Sequence, residues 1–159
     1  MHPSQKIVPW DRVDKIADEL RNKGKIIVFT NGCFDIIHKG HVEYLYFAKG
    51  LGDILWVGIN SDESVKKIKG NDRPIKPLED RLIIIASFEF VDLVTPFDQE
   101  TPYQLIKKIK PLYIVKGGDY KADEVVGKEI VESYGGKVII APYIPGKSTT
   151  EFINKIKKL

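Results

Sequence analysis

Five short apolar runs recur along the chain, separated by stretches in which apolar residues return every three or four positions. KIIVFT (25–30), DILWVGIN (53–60), FVDLVTP (90–96), PLYIVKGG (111–118) and GKVIIAP (136–142) are short, rich in β-branched residues and bounded by turn formers. That combination predicts strands. Segments 42–51, 78–87, 101–110, 123–134 and 149–158 carry apolar residues at helical spacing, as in Leu105, Ile106 and Ile109 or Phe152, Ile153 and Ile156. A further helix at about 10–22 places Val13, Ile16, Ala17 and Leu20 on one face. Thr101-Pro102 predicts an N-cap with proline at the first helical position, and Ser148 to Glu151 has capping-box spacing.

Strands that are nearly all apolar and alternate with helices predict a parallel sheet covered on both faces. Five such units make a doubly wound α/β domain with strand order 3-2-1-4-5, here expected to span 1–159, with 1–24 as an N-terminal helical extension. In such sheets ligands bind beyond the carboxyl ends of the strands, where the strand order reverses. The loops to read are therefore 31–41, 60–77, 116–122 and 143–149.

Composition narrows the function classes. The chain has 159 residues, 43% of them hydrophobic and 30% charged, with a formal charge of +3. That excess is too small to imply a nucleic-acid coat but does not disfavour an anionic small substrate. Cys33 is the only cysteine, which excludes an intramolecular disulfide and a CxxC metal knuckle. No apolar stretch has the length of a signal peptide core or a membrane span, so a soluble, cytoplasmic protein without membrane attachment is expected.

The chemistry concentrates in NGCFDIIHKGH (31–41). His38 and His41 lie where a post-strand loop becomes a helix, and a helix start attracts phosphate through its unpaired N–H groups. Gly40 would let a ligand approach the backbone. Two other readings stand beside this one: a metal pair without a third ligand, and a local cap with one surface histidine. Asp35 either organises the loop or meets the substrate. Lys66, Lys67, Lys69, Arg73 and Lys76 surround Gly70; they form either a solvated basic loop or a mobile cover for phosphates. Lys116-Gly117-Gly118-Asp119 offers two glycines able to take positive φ and a carboxylate for hydroxyls, or a plain turn.

GCFDIIHKGH resembles the signature of the cytidylyltransferase-like nucleotidyltransferase superfamily, with His38, Lys39, Gly40 and His41 meeting its HxGH element. NSDESVKKIKGNDRPIKPLEDR (60–81), VKGGDY (115–120) and STT (148–150) match further elements in order. The resemblance implies a Rossmann-like fold. Among the subfamilies, TNGCFD, VKGGDY and the final STT are most similar to the heptose 1-phosphate adenylyltransferases. The glycerol 3-phosphate cytidylyltransferases typically have threonine at the place of Cys33 and arginine at that of Glu89, with another arginine in the loop before the STT, here YIPGK.

What the resemblance implies is adenylyl transfer from ATP to a sugar 1-phosphate, releasing pyrophosphate, in the synthesis of lipopolysaccharide precursors. The alternatives are cytidylyl transfer to glycerol 3-phosphate and a non-catalytic nucleotide-binding module. His38, His41 and Lys69 are the implied catalytic residues. Cys33, Phe34, Gly40, Arg81, Gly117, Asp119, Ser148, Thr149 and Thr150 would join the histidines at the nucleotide, while Asp35, Lys69, Arg73 and Lys116 would meet the acceptor. Mg²⁺ would arrive with ATP, needing no protein metal ligand. A homodimer and no nucleic-acid partner complete the expectation.

Overall fold

Alternation along the central strand decides how the sheet is buried. In β1 (Ile27–Gly32), Ile27 and Phe29 join one apolar layer and Val28 the other. β2 (Ile54–Asn60) repeats the pattern, with Leu55, Val57 and Ile59 on Val28's side and Trp56 opposite. Each fully buried side chain of this size stabilises by about 1.5–3 kcal/mol, and Trp56 also satisfies its indole N–H on Thr95 Oγ1 at 2.8 Å. The structure, a computed structural model, describes residues 1–142 and 148–159.

With β3 (Leu93–Phe97), β4 (Tyr113–Lys116) and β5 (Lys137–Ile140), the strands form one parallel sheet in the order β3-β2-β1-β4-β5, as the pattern predicts. Leu45 and Ala48 of α2 (Lys39–Lys49) and Leu82, Ile85 and Ala86 of α4 (Leu78–Ala86) cover one face. The other face is covered by α1 (Val13–Asn22), α5 (Tyr103–Ile109) and α6 (Lys128–Glu132), through residues such as Val13, Ala17, Leu105, Ile109 and Val131. Ahead of α1 the chain docks on β3, Val8 N–H donating to Val94 O at 2.8 Å.

Several elements differ from the sequence expectation. The 60–77 stretch holds a helix, α3 (Asp62–Lys69), capped by Ser61, so Lys66, Lys67 and Lys69 belong to its last turn. Its apolar face is too narrow to stand out, and Gly70 at φ 105° stops it, a conformation side chains resist. Pro102, not Thr101, occupies the N-cap of α5. The predicted first helix opens as a 3-10 turn at Trp10–Arg12, and the 123–134 helix contracts to α6 after a 3-10 turn at Ala122–Glu124. Gly117 and Gly118 do not take positive φ. Gly117 instead allows close approach, since a Cβ there would lie 3.3 Å from Asp119 Oδ1.

The sheet opens where the strand order reverses. The β1–β4 ladder pairs Val28 with Tyr113 and Phe29 with Ile114. Further along, the Val115 carbonyl accepts from the Thr30 and Tyr44 hydroxyls, each at 2.8 Å. Side chains thus satisfy a backbone acceptor between the two strands, as buried carbonyls require. Lys116 Nζ donates across the gap to Asn31 Oδ1 at 2.7 Å.

Candidate active site

Above that gap lies a cavity of about 750 Å³, within the range of small-molecule sites. The 31–41 loop contributes Cys33, Phe34, Asp35, His38, Gly40 and His41 to its lining. α3 and the turn after it supply Lys69 and Arg73, and β4 with its following loop supplies Lys116, Gly117 and Asp119. The start of α7 (Thr149–Lys157) closes the circuit with Ser148, Thr149 and Thr150. Segments far apart in sequence therefore face one volume at the carboxyl edge of the sheet. Residues 143–147, the part of the predicted fifth-strand loop carrying YIPGK, lie outside the described residues.

Arg81 is the predicted site residue that the cavity lining lacks. It is fully buried, and its guanidinium donates to Cys33 O at 2.8 Å, Asn60 O at 2.7 Å and Lys76 O at 3.0 Å while pairing with Asp62 at 2.7 Å. A planar donor fork suits this task. Arg81 binds the carboxyl ends of β1 and β2 to the first turn of α3 and the segment before α4, forming the cavity's foundation.

The histidines are fixed by their helix. His38 is the N-cap of α2, and its backbone N–H donates to His41 Nδ1 at 3.2 Å. Their rings lie 3.9 Å apart, with Phe34 5.4 Å from His41. Burial, reinforced by the neighbouring His38, lowers the His41 pKa to about 4. His41 is therefore neutral at pH 7, and because Nδ1 accepts, its proton sits on Nε2. The ring is a neutral donor.

Asp35 organises the segment after α3. Its buried carboxylate accepts from the N–H groups of Ile75 at 2.8 Å and Lys76 at 2.9 Å, and from Arg73 Nε at 3.0 Å. Burial alone would raise its pKa, but those backbone donors and Arg73 together hold it below the usual carboxylate value. Lys69 is exposed at the rim. Burial lowers Lys116 to about 8, against the pull of Cys33 and Asp119. Cys33 is pushed up by burial despite Lys69, Arg81 and Arg73, which leaves it a thiol rather than a nucleophilic thiolate.

Sequence reading missed the wall formed by Glu100, Thr101 and Pro102, and the stretch Glu124 to Val126. The first lies beyond β3, so the carboxyl-edge rule applied to that strand as well would have found it. Tyr44, Asn31 and Asn60 also line the cavity; apolar neighbours hid them as strand or helix residues. Among the described residues no three or more His, Cys, Asp or Glu side chains come together to hold a metal ion, and no helix is long and apolar enough to cross a membrane.

Comparison with known families decides the kinship: residues 29–155 match the cytidylyltransferase-like family. The chain belongs to that family. It is 51% identical to the bifunctional protein HldE of a Nitratiruptor species over 95% of its own length and 32% of that protein. HldE of Aliarcobacter butzleri is 50% identical over 96% of the chain and 31% of the relative. The chain thus spans about a third of the length of these curated relatives. Among solved structures, a lipopolysaccharide core biosynthesis protein from Thermoplasma volcanium has TM-score 0.63 and 32% identity, covering 76% of this chain and 98% of its own. A pantoate-beta-alanine ligase from Francisella tularensis, complexed with beta-gamma ATP and beta-alanine, also reaches 0.63, covering 96% of this chain and 78% of its own. At 19% identity that likeness speaks to the fold alone.

Proposed function

We propose that this protein transfers the adenylyl group of ATP to a heptose 1-phosphate, yielding ADP-heptose and pyrophosphate in the supply of lipopolysaccharide precursors. The observation that carries the reading is the single cavity at which two helix starts, the His38–His41 pair, Lys69 and Lys116 converge. Such a donor set suits a polyphosphate. The sugar assignment draws on the motifs TNGCFD, VKGGDY and STT and on half-identity to HldE proteins.

In this reaction a phosphate oxygen of the acceptor attacks the α-phosphorus, the bond to the β-phosphate oxygen breaks, and pyrophosphate leaves. The acceptor phosphate is already ionised at neutral pH, so no general base is needed. Positioning and charge stabilisation supply the rate. His41 gives a neutral Nε2–H donor to the transferring phosphate, beside His38 and the N–H groups opening α2. Donors of this kind contribute about 2.7–4 kcal/mol each to transition-state binding. Ser148 already caps Glu151 N–H at 3.1 Å, leaving the other first-turn donors of α7 for phosphate. Lys69 and Arg73 approach from the opposite wall, where Asp35 holds Arg73 in place. Asp119 with Gly117 receives nucleotide hydroxyls, and Cys33 and Phe34 form pocket surface. Charge neutralisation by Mg²⁺ would come with the substrate, since an ion of this kind would be held mainly by the substrate phosphates rather than by a cage of protein carboxylates.

The test is a panel of ATP and CTP against heptose 1-phosphate, hexose 1-phosphates and glycerol 3-phosphate, scored for Mg²⁺-dependent pyrophosphate release. Release with ATP and heptose 1-phosphate alone, reduced about 10²–10³-fold in His41→Ala, is the expected result. Release with CTP and glycerol 3-phosphate would reassign the substrate. Tight ATP binding without turnover on any acceptor would make the protein a binding module.

A further inference from the structure

One of the contacts between the last helix and the histidine loop is aromatic. The Phe152 ring stacks on His38, with centroids 5.7 Å apart and planes 24° from parallel. His38 in turn lies 3.9 Å from His41, and His41 5.4 Å from Phe34. Four rings therefore form one run of contacts from α7 through the histidine pair to Phe34 on the loop after β1, near parallel at Phe152–His38 and tilted by 32° and 58° at the next two steps. Thr149 adds a hydrogen bond to Ile36 O at 3.1 Å. No residue of α7 is fully buried, so the helix has little core packing to hold it. Its placement depends on contacts with the loop it helps to arrange.

We propose that Phe152 is a positioning residue: by lying nearly parallel beside the His38 ring it sets that imidazole toward the phosphates and fixes the start of α7 across from it. This rests on the reading of the cavity as a triphosphate site. The ring does not itself touch the reacting atoms. Phe152 is one turn along α7, so its anchor orients Ser148 and Thr149 as well as His38. Both phosphate-facing helix starts are thereby placed in one step. With centroids 5.7 Å apart the near-parallel rings are offset rather than face to face; a flat ring keeps that alignment, whereas an aliphatic residue would fill space without fixing the ring plane. Displacement of a reacting contact by about 1 Å can cost 10²-fold in rate, which sets the scale.

The experiment compares Phe152→Leu, Phe152→Ala, Phe152→Tyr and Phe152→Trp in the full chain. Readouts are kcat and KM for ATP, the unfolding midpoint, and the His38 ring resonances by NMR with and without ATP. Phe152→Leu, which keeps the bulk, is expected to lose about 10- to 100-fold in kcat with a near-unchanged midpoint. Its His38 resonances shift as the stacked ring is removed. Phe152→Tyr and Phe152→Trp restore both. If Phe152→Leu retains wild-type kcat and unshifted resonances, the proposal is overturned while the functional reading survives. If the wild type turns over no acceptor, the functional reading falls; an ATP-induced His38 shift lost in Phe152→Leu would then still support the positioning role, and its persistence would refute it.

Discussion

Replacing Asp35 by asparagine tests how the basic wall of the cavity is held. The substitution keeps size and one acceptor oxygen but puts an NH₂ against the donors that the second oxygen served. Asp35 is 1% exposed and receives two backbone N–H bonds and Arg73 Nε. Hydrogen bonds to a charged group are worth about 1.5–3 kcal/mol each. The Ile75 side chain is exposed, so water can reach part of this array once it loosens. A net loss of about 2–4 kcal/mol follows. The carboxylate also has a pH signature. Its folded pKa lies below the unfolded value, so its contribution is complete above pH ~4 and is lost as pH falls through the folded pKa. The assay is urea unfolding at pH 7 and across pH 2–5, with pyrophosphate release measured on the same samples. Asp35→Asn should lower the urea midpoint at pH 7, flatten the acid-dependent loss, and reduce kcat/KM as Arg73 is released. An unchanged midpoint with an unchanged acid limb would refute the reasoning, because the carboxylate would then hold nothing in solution.

Arg81→Met should cost about 3–5 kcal/mol in urea unfolding, since it leaves the carbonyls of Cys33, Asn60 and Lys76 without their donor while the half-exposed Asp62 turns to water; a loss below about 1 kcal/mol would argue against the clamp. His41 contributes through its neutral form. With the folded pKa at about 4 against 6.5 unfolded, the folded chain binds fewer protons, so stability falls by up to about 3 kcal/mol between pH 6.5 and pH 4. Unfolding curves of His41→Gln should lack that slope. Lys116, lowered to about 8, is cationic below that pH and progressively neutral above it. Titration calorimetry should show affinity for ATP or the sugar phosphate weakening from pH 8 upward, and Lys116→Met should lose the dependence.

Much of the fold was legible because burial leaves periodic marks. Alternation of Ile27, Val28 and Phe29, and of Leu55, Trp56 and Val57, encodes a strand covered on both faces. Leu105, Ile106 and Ile109 encode a helix lying on it. α3 escaped notice because its seat needs little more than Val65 and Ser64 buried, while its lysines resemble a loop. Thr101 and Pro102 illustrate boundary error: the local chemistry is right and the cap is displaced by one residue.

By itself the sequence determined which segments become strands and, α3 apart, which become helices, that the strands run parallel, and which loops gather at the carboxyl edge. These follow from side-chain period and from short-range capping, which a linear string records. Tertiary structure decided what each polar residue does once there. Arg81 and Arg73 read alike in sequence, yet one is enclosed among carbonyls and the other held by Asp35 at the cavity wall. The neutrality of His41 and the depressed Lys116 arise from burial that the assembled fold imposes, and the Phe152 stack joins residues remote in the chain. Desolvation and directional bonding depend on three-dimensional proximity, and proximity exists only after the sheet has assembled.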